Sequence, residues 1–439
     1  GGAGRRSGGG VWRMREMKDS GIEWIGEIPV QWNLVQTKRF FTNTKKIVGA
    51  KADNYDRLAL TLNGVIKRSK DDSEGLQPEK FEGYQILCKN ELVFKLIDLE
   101  NVKTSRVGLS PYTGLVSPAY IVLSNNFSDN RFFYHWFMSM YYNEVFNHLG
   151  GEGVRSALNA KDVLSLPVPD IQLDEQRRIA DYLDRKCSQI DDIIARQQAV
   201  IEKLKAYKLS VITEAVTKGL NPDTPMKDSG VEWIGEIPEY WQLSHIGNLV
   251  EMGSGGTPDR KKPEYWENGN IPWMSSGEIN DEYIYSTTVH ITELGLQNSN
   301  AKILPVNTVM LGLIGQGKTK GLTAILKTEV CCNQNLAYLI ADEKYLHYRY
   351  LFYCFKAMYF YIRGLVGESQ AGIYSYFLKK LHIPLPDIEQ QIRISDYLDT
   401  KCEAIKNSIN KRERIIEKFT SYKRSLIYEV VTGKKEVQR

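Results

Sequence analysis

Long apolar runs are missing from this 439-residue chain, so nothing in it reads as a membrane span. Its most hydrophobic stretch, "RFFYHWFMSMYYNEVFNHL" from Arg131, carries His135, Asn143 and Glu144 and is predicted to be a packed surface helix. The six cysteines (Cys88, Cys187, Cys331, Cys332, Cys354, Cys402) form no CxxC pair and no Cys/His cluster. That excludes a disulfide framework or a zinc site and points to reduced thiols in a cytoplasmic protein. The six histidines are scattered without ligand spacing, so no metal is expected. Strong net charge is lacking too. Residues 1–13, "GGAGRRSGGGVWR", read as an expression remnant, and removing Arg5, Arg6 and Arg13 lowers the formal +4 to +1. Any polyanion site must therefore come from local clustering rather than from bulk charge.

Signatures of bond-making chemistry are also absent. There is no Asn/Asp-Pro-Pro-Tyr/Phe methyltransferase motif, no Gly-rich turn placed to hold a nucleoside cofactor, no convincing nuclease constellation and no nucleophile elbow. The chain is expected to hold no catalytic residues and no cofactor of its own.

Repetition is what the sequence does have. "MKDSGIEWIGEIPVQW" from Met17 returns as "MKDSGVEWIGEIPEYW" from Met226, with thirteen of sixteen positions identical at a separation of 209. A second block, "LPVPDIQLDEQRRIADYLDRKCSQID" and onward from Leu166, returns as "IPLPDIEQQIRISDYLDTKCEAIK" from Ile383. One unit of about 210 residues has been duplicated.

The second block is helical by pattern. Ile179, Leu183, Cys187, Ile190, Ile194, Ile201, Leu204, Val211 and Ala215 recur at spacings of three and four, broken at Gln197 and Lys208. Ile394, Leu398, Cys402, Ile405, Ile409, Ile416, Phe419, Leu426 and Val430 keep the same register, broken at Arg412 and Lys423. Such stripes are coiled-coil seams. Each helix starts after a Pro-x-Pro-Asp boundary and stops near Gly219 or Gly433. Connectivity predicts an antiparallel pair, because the second helix must run back to pack on the first. At 1.5 Å per residue a helix of about 44 residues is ~66 Å long.

The segments between the shared blocks share little sequence, yet both mix short β-like runs with polar turns and close with an aromatic helix. The predicted fold is α/β (α+β): two similar domains separated by two long antiparallel coiled-coil helices, in a pseudo-two-fold repeat. The expected division is a first variable domain with its lead-in at 17–170, a long helix at 171–217, a linker and repeated lead-in at 218–245, a second variable domain at 246–387 and a second long helix at 388–432. The repeated lead-in is expected at the junction where one helix ends and the opposite domain begins, with Trp24 and Trp233 packing rather than reading a ligand.

"GLIGQGKT" from Gly312 to Thr319 matches a Walker A motif literally. A phosphate loop must launch a helix, whereas "KGLTAILKTEVCCNQ" reads as a turn into a strand, so a basic hairpin loop is expected. Basic polar loops recur elsewhere. The first variable segment offers Lys67, Arg68, Ser69 and Lys70, and then Lys103, Thr104, Ser105 and Arg106. The second offers Thr257, Arg260, Lys261 and Lys262, then Ser275 and Ser276, then Lys318 and Lys320. Lys and Arg position a protein on phosphates, while Arg and Ser/Thr also reach base edges, so these are the candidate DNA contacts.

From Met17 onward the chain resembles the specificity subunits of type I restriction-modification systems. The resemblance is carried by "WIGEIPVQW" and "WIGEIPEYW", "SGGTPDRKKPEYWENGNIPWMSSGEI", "GKTKGLTAILKTEVCCNQNLA", "LPVPDIQLDEQRRIADYLD" and "IPLPDIEQQIRISDYLD". One departure is Gln390-Gln391, where Glu-Gln is usual. The resemblance implies a non-catalytic, sequence-specific reader of double-stranded DNA. Each target-recognition domain would read half of a bipartite site, and the helices would set the spacer and dock two methyltransferase subunits that bring S-adenosylmethionine. Restriction subunits with translocase activity would join them. Two other functions fit parts of the pattern: a P-loop nucleotide hydrolase and a coiled-coil protein-interaction scaffold.

Overall fold

The computed structural model describes residues 15–62, 64–70, 80–97, 106–125, 127–149, 157–314, 319–365 and 372–437. Two helices dominate, Leu173–Lys218 of 46 residues and Ile388–Val431 of 44 residues. Both are shared between two compact units. The first unit holds the chain up to Gln197 together with the part from Arg414 on, and the second runs from Gln198 to Glu413.

In the first unit, strands Gly64–Arg68, Arg57–Thr61, Gly114–Val116 and Gln85–Leu87 lie side by side in that order. A three-stranded antiparallel sheet of Ile121–Leu123, Leu92–Lys95 and Arg106–Leu109 accompanies them. The aromatic helix Asn130–Tyr142 buries Phe132, Phe133, Trp136, Phe137 and Met140 completely. It is thus a core helix and not the surface helix its polar residues suggest. His135 is buried in it because Asp184 of the long helix meets its Nε2 at 2.8 Å.

In the second unit the main sheet has five strands, ordered Val250–Ser254, Leu336–Ala341, Val309–Gly312, Thr323–Leu326 and Tyr283–Ile284. Val289–Ile291, Ile271–Met274 and Cys331–Cys332 form a smaller sheet. The helix Tyr348–Ala357 fills the place that the aromatic helix takes in the first unit, burying Tyr350, Leu351, Phe352, Cys354 and Phe355.

Within each unit the segments of the two long helices run antiparallel. In the first, Lys423 bonds Asp191 at 2.7 Å, while Arg15 bridges Glu175 and Glu436 further along. Ile179, Leu183, Cys187 and Ile190 share one core with Leu426 and Val430. In the second, Val211 and Ala215 share a core with Ile394, Leu398 and Cys402. The heptad-like stripe is therefore buried where the module of each unit packs on it. Ile194, Leu204, Ile409, Ile416 and Phe419 are only half-buried.

Both modules close in the same way. Asn33–Gln36 pairs antiparallel with Pro167–Asp170, and Gln242–His245 with His382–Leu385, so chain entrance and exit are zipped together just before each long helix. Prolines are tolerated there because such two-stranded ribbons leave one edge unpaired.

The repeated lead-in is a small hairpin in both copies, Met17–Asp19 on Glu27–Pro29 and Met226–Asp228 on Glu236–Pro238. Each seats the C-terminal end of a long helix. In the first unit the Tyr428 hydroxyl donates to the Ile25 carbonyl at 3.0 Å, and a Cβ on Gly433 would lie 2.5 Å from Pro29. In the second, a Cβ on Gly219 would lie 3.2 Å from Trp241. Both glycines take φ near +75°, a left-handed helix cap that favours glycine: +77° at Gly219 and +74° at Gly433. Trp24 packs edge-on against Trp136 at 5.4 Å, and Trp233 donates to the His382 carbonyl at 3.3 Å. Among the described residues, no helix is long and apolar enough to cross a membrane.

Candidate nucleic-acid interface

Each module is fixed to its long helix by a clamp of the same design. Asp181 and Asp184 project from successive turns and receive the Arg131 guanidinium at 2.7 and 3.1 Å. Asp396 and Asp399 receive Arg349, both at 2.7 Å. The second carboxylate also takes a ring partner, His135 in one unit and the Tyr353 hydroxyl, at 2.5 Å, in the other. Burial raises the Asp184 pKa, but His135 and Arg131 outweigh it and hold the carboxyl below its ordinary value.

Gln176 and Gln391, both buried, complete the joint. Gln176 Oε1 accepts from the Asp129 amide and Gln391 Oε1 from the His347 amide. This settles what the Gln390-Gln391 departure does. The second glutamine keeps its network, and the first turns to Trp241 Nε1 at 3.1 Å, where Glu175 of the other copy pairs with Arg15. The "ADYLD" and "SDYLD" motifs are thus scaffold, holding the loops that follow from each module.

In the first unit, Lys67 and Arg68 end the outer strand Gly64–Arg68, in register with Leu58 and Arg57. Lys67 reaches Asp56 at 2.6 Å and lies 5.4 Å from the Tyr112 ring. Lys70 donates to the Ala52 carbonyl at 2.9 Å and lies 5.9 Å from Phe81, beside Arg57 at 5.8 Å from the same ring. Ser69 between them is exposed. Arg106 opens the strand Arg106–Leu109 in the neighbouring sheet. Burial, then Tyr84, pushes the Tyr120 phenol up, while Arg57, Arg106 and Arg68 pull it down, so the three arginines lie in the neighbourhood of one half-buried phenol. Lys103, Thr104 and Ser105 lie outside the described residues.

Tertiary folding thus joins Arg68 to Arg106 and adds Arg57, Tyr84 and Tyr120, which sequence reasoning missed. The signal for Arg57 is its charge at the head of a largely apolar strand, "RLALT". A basic cluster set among aromatic faces is suited to phosphates and to stacked or edge-read bases.

In the second unit the "SGGTPDRKKPEYW" loop is tightly built. A Cβ on Gly255 would meet the Cys332 carbonyl oxygen at 1.9 Å, so the paired glycines permit close backbone packing. Thr257 donates to Gln334 Oε1 at 2.6 Å. The Arg260 guanidinium sits 4.4 Å from the Trp266 ring and 5.2 Å from Trp273, and Lys262 meets the Tyr265 hydroxyl at 3.1 Å. Lys261 is exposed, with its amide bonded to Asp259.

Ser275 and Ser276 behave differently. Ser275 forms a reciprocal cap with Glu278, whose Oε2 accepts from its amide at 2.7 Å and its hydroxyl at 3.1 Å, while Ser276 is half-buried in the same turn. Lys320 is buried, and its carbonyl accepts from Arg363 at 2.8 Å. Lys318 lies outside the described residues. The strand Val309–Gly312 returns as antiparallel Thr323–Leu326, with Leu311 opposite Thr323. Among the described residues the chain after Thr319 turns into a strand and not into a helix, so no helix N-terminus follows for a nucleotide phosphate and the Walker A match lacks the fold of a phosphate loop. Among the described residues, no group of three or more His, Cys, Asp or Glu is placed to hold a metal ion.

Comparison with known proteins agrees with this architecture. The sequence profile described as "Type I restriction modification DNA specificity domain" matches residues 238–417. The EcoR124I/EcoR124II specificity subunit of Escherichia coli is 30% identical over 217 residues, 46% of this chain and 49% of that protein. The putative MjaX specificity subunit of Methanocaldococcus jannaschii is 24% identical over 431 residues, 94% of this chain and 96% of that protein. The chain spans about half the length of the curated relatives it matches at 30% identity or more. A solved structure from work on assembly and conformational transition of the type I R-M system has a TM-score of 0.69 at 16% identity. It covers 92% of this chain and 98% of its own, and at that identity it speaks to the fold alone.

Proposed function

We propose that this chain is a type I restriction-modification specificity subunit, the sequence-specific, non-catalytic DNA-reading component of such a complex; the profile match and the similarity to the specificity subunits of Escherichia coli and Methanocaldococcus jannaschii support the reading. The observation that carries the reading is the paired design. Each unit presents its own basic-aromatic loops from a module clamped by an Arg–Asp–Asp joint onto antiparallel helices. A bipartite target needs two readers that differ in their loops and share their frame.

In this reading the modules at 17–170 and 246–387 are the target-recognition domains. Arg57, Lys67, Arg68, Lys70 and Arg106 would contact one half-site, and Thr257, Arg260, Lys261 and Lys262 the other. Arg68, Arg106 and Arg260 suit base edges, where a bidentate arginine contributes about 1–3 kcal/mol of discrimination. The capped Ser275 and the buried Lys320 would support the loops from behind. The long helices would set the unread spacer and receive two methyltransferase subunits, which supply S-adenosylmethionine and the adenine chemistry. Restriction subunits would join that assembly.

The test is to reconstitute the chain with a methyltransferase partner and map methylated adenines across a genome. Methylation at one two-part motif is expected, and methylation indifferent to sequence refutes the proposal.

A further inference from the structure

Besides the loops just described, the second unit carries a charged cavity that the reading leaves unused. It has a volume of about 260 Å³ and lies between the first long helix, the helix Tyr348–Ala357 and the main sheet. Lys208 Nζ approaches Glu282 Oε1 at 3.0 Å, and Lys356 Nζ meets the same oxygen. Lys205 stands at the wall one turn before Lys208, paired outward with Glu202 at 2.9 Å. Two ammonium groups therefore share one carboxylate oxygen, which leaves one positive charge in excess. Leu209, Ile212, Ile279 and Leu322 add apolar side chains to the wall, where charge is less screened than in bulk water.

Burial raises the Glu282 pKa, but Lys356 and then Lys208 outweigh it and hold it at about 2. The carboxylate is thus already ionised and cannot supply further negative charge. Burial lowers the Lys356 pKa, Glu282 opposes that shift and Lys208 adds to it, so the shared carboxylate does not fully offset the cost of burying this ammonium.

The first unit shows no such imbalance at the matching position. Lys423, the repeat counterpart of Lys208, bonds both oxygens of Asp191 at 2.7 Å, one cation to one anion.

From this geometry we infer that the cavity walled by Lys205, Lys208 and Lys356 is a phosphate-binding site confined to the second unit. An oxyanion entering it would complete the charge of the Lys208–Glu282–Lys356 triad. The phosphate comes either from the backbone of duplex DNA or from a free phosphoryl ligand, and only the first source rests on the DNA-reading role.

The experiment uses the full chain and three variants, Lys208→Gln, Lys208→Arg and Glu282→Gln. One arm follows binding of a mixed-sequence duplex by fluorescence anisotropy between about 50 and 200 mM salt. The other compares thermal unfolding in inorganic phosphate and in chloride at equal ionic strength. If the phosphate is the DNA backbone, Lys208→Gln lowers the log–log salt slope by about 0.9 and Lys208→Arg restores it. If it is a free ligand, phosphate protects the wild type but not Lys208→Gln, while the duplex slope stays unchanged. Glu282→Gln, which removes the competing carboxylate, should strengthen whichever binding is seen.

A wild type and a Lys208→Gln variant that agree in both arms overturn the site. Failure of the wild type to bind any duplex counts against the DNA-reading role alone, because the phosphate arm still judges the cavity.

Discussion

Adding a single methyl group at Gly219 and at Gly433 should have unequal consequences, although each glycine follows the end of a long helix with a left-handed backbone. Both end a long helix with a positive φ, +77° and +74°, so alanine at either site pays the left-handed penalty of about 1–2 kcal/mol. Their surroundings differ. The new Cβ at 219 would stand 3.2 Å from the edge of Trp241, which can yield by a few tenths of an ångström. At 433 it would stand 2.5 Å from Pro29 Cγ, 2.6 Å from Cδ and 3.0 Å from Trp32, and a proline ring locked in a hairpin cannot move aside. Overpacking adds about 1–3 kcal/mol there. Gly219→Ala is expected to cost ~1–2 kcal/mol and Gly433→Ala ~2–5 kcal/mol. Urea unfolding of the full chain, followed by tryptophan fluorescence and far-UV circular dichroism, measures both. Equal losses, or a milder loss at 433, would refute the claim that the lead-in hairpin seats the end of the second helix.

Trp241→Ala should cost about 3–5 kcal/mol, since the side chain is fully buried and holds Gln390, and calorimetry of the variant checks it. Ser275→Ala should lose about 1 kcal/mol of stability through its cap and leave DNA affinity nearly unchanged, so a large change in target preference would make Ser275 a reader instead. Arg106→Ala should relax preference at one base pair if it reads an edge, by roughly 1–3 kcal/mol, whereas Lys70→Ala should weaken binding evenly across sequences; both follow from competition assays with duplex libraries. Acid should loosen the second unit, which has the full stabilising contribution of the Glu282 carboxylate at neutral pH. Glu282 has a folded pKa of about 2 against an ordinary 4.5, so its contribution is whole above about pH 4.5 and is lost as pH falls toward 2. Acid titration of Glu282→Gln should lack that part of the transition.

Much of the frame is legible without coordinates. A stripe of apolar residues at spacings of three and four has only one economical use, and its duplication with the same breaks implies two such helices packed on each other. The glycines that stop them, the Pro-x-Pro-Asp starts and the refusal of the Gly-Lys-Thr turn to launch a helix are local properties, set by backbone sterics within a few residues. The candidate interface is less legible because its members are distant in the chain. Arg57, Arg106 and Tyr120 come together only through strand pairing, and no local pattern distinguishes Arg57 from a solvated arginine. Composition likewise leaves the aromatic helix ambiguous, since His135 and Arg131 mark it as polar until Asp184 and Asp181 arrive from a helix some 50 residues away to satisfy them.

The sequence by itself determined the repeat, the long helices and their direction, because those rest on periodicity and on short-range conformational preference. Only the tertiary structure decided which charges are partnered and which are in surplus. Lys208 and Lys423 occupy one place in the repeat, yet one shares Glu282 with Lys356 while the other has Asp191 to itself. Coulomb energy depends on distance through space, and distance through space is what a linear order of residues does not state.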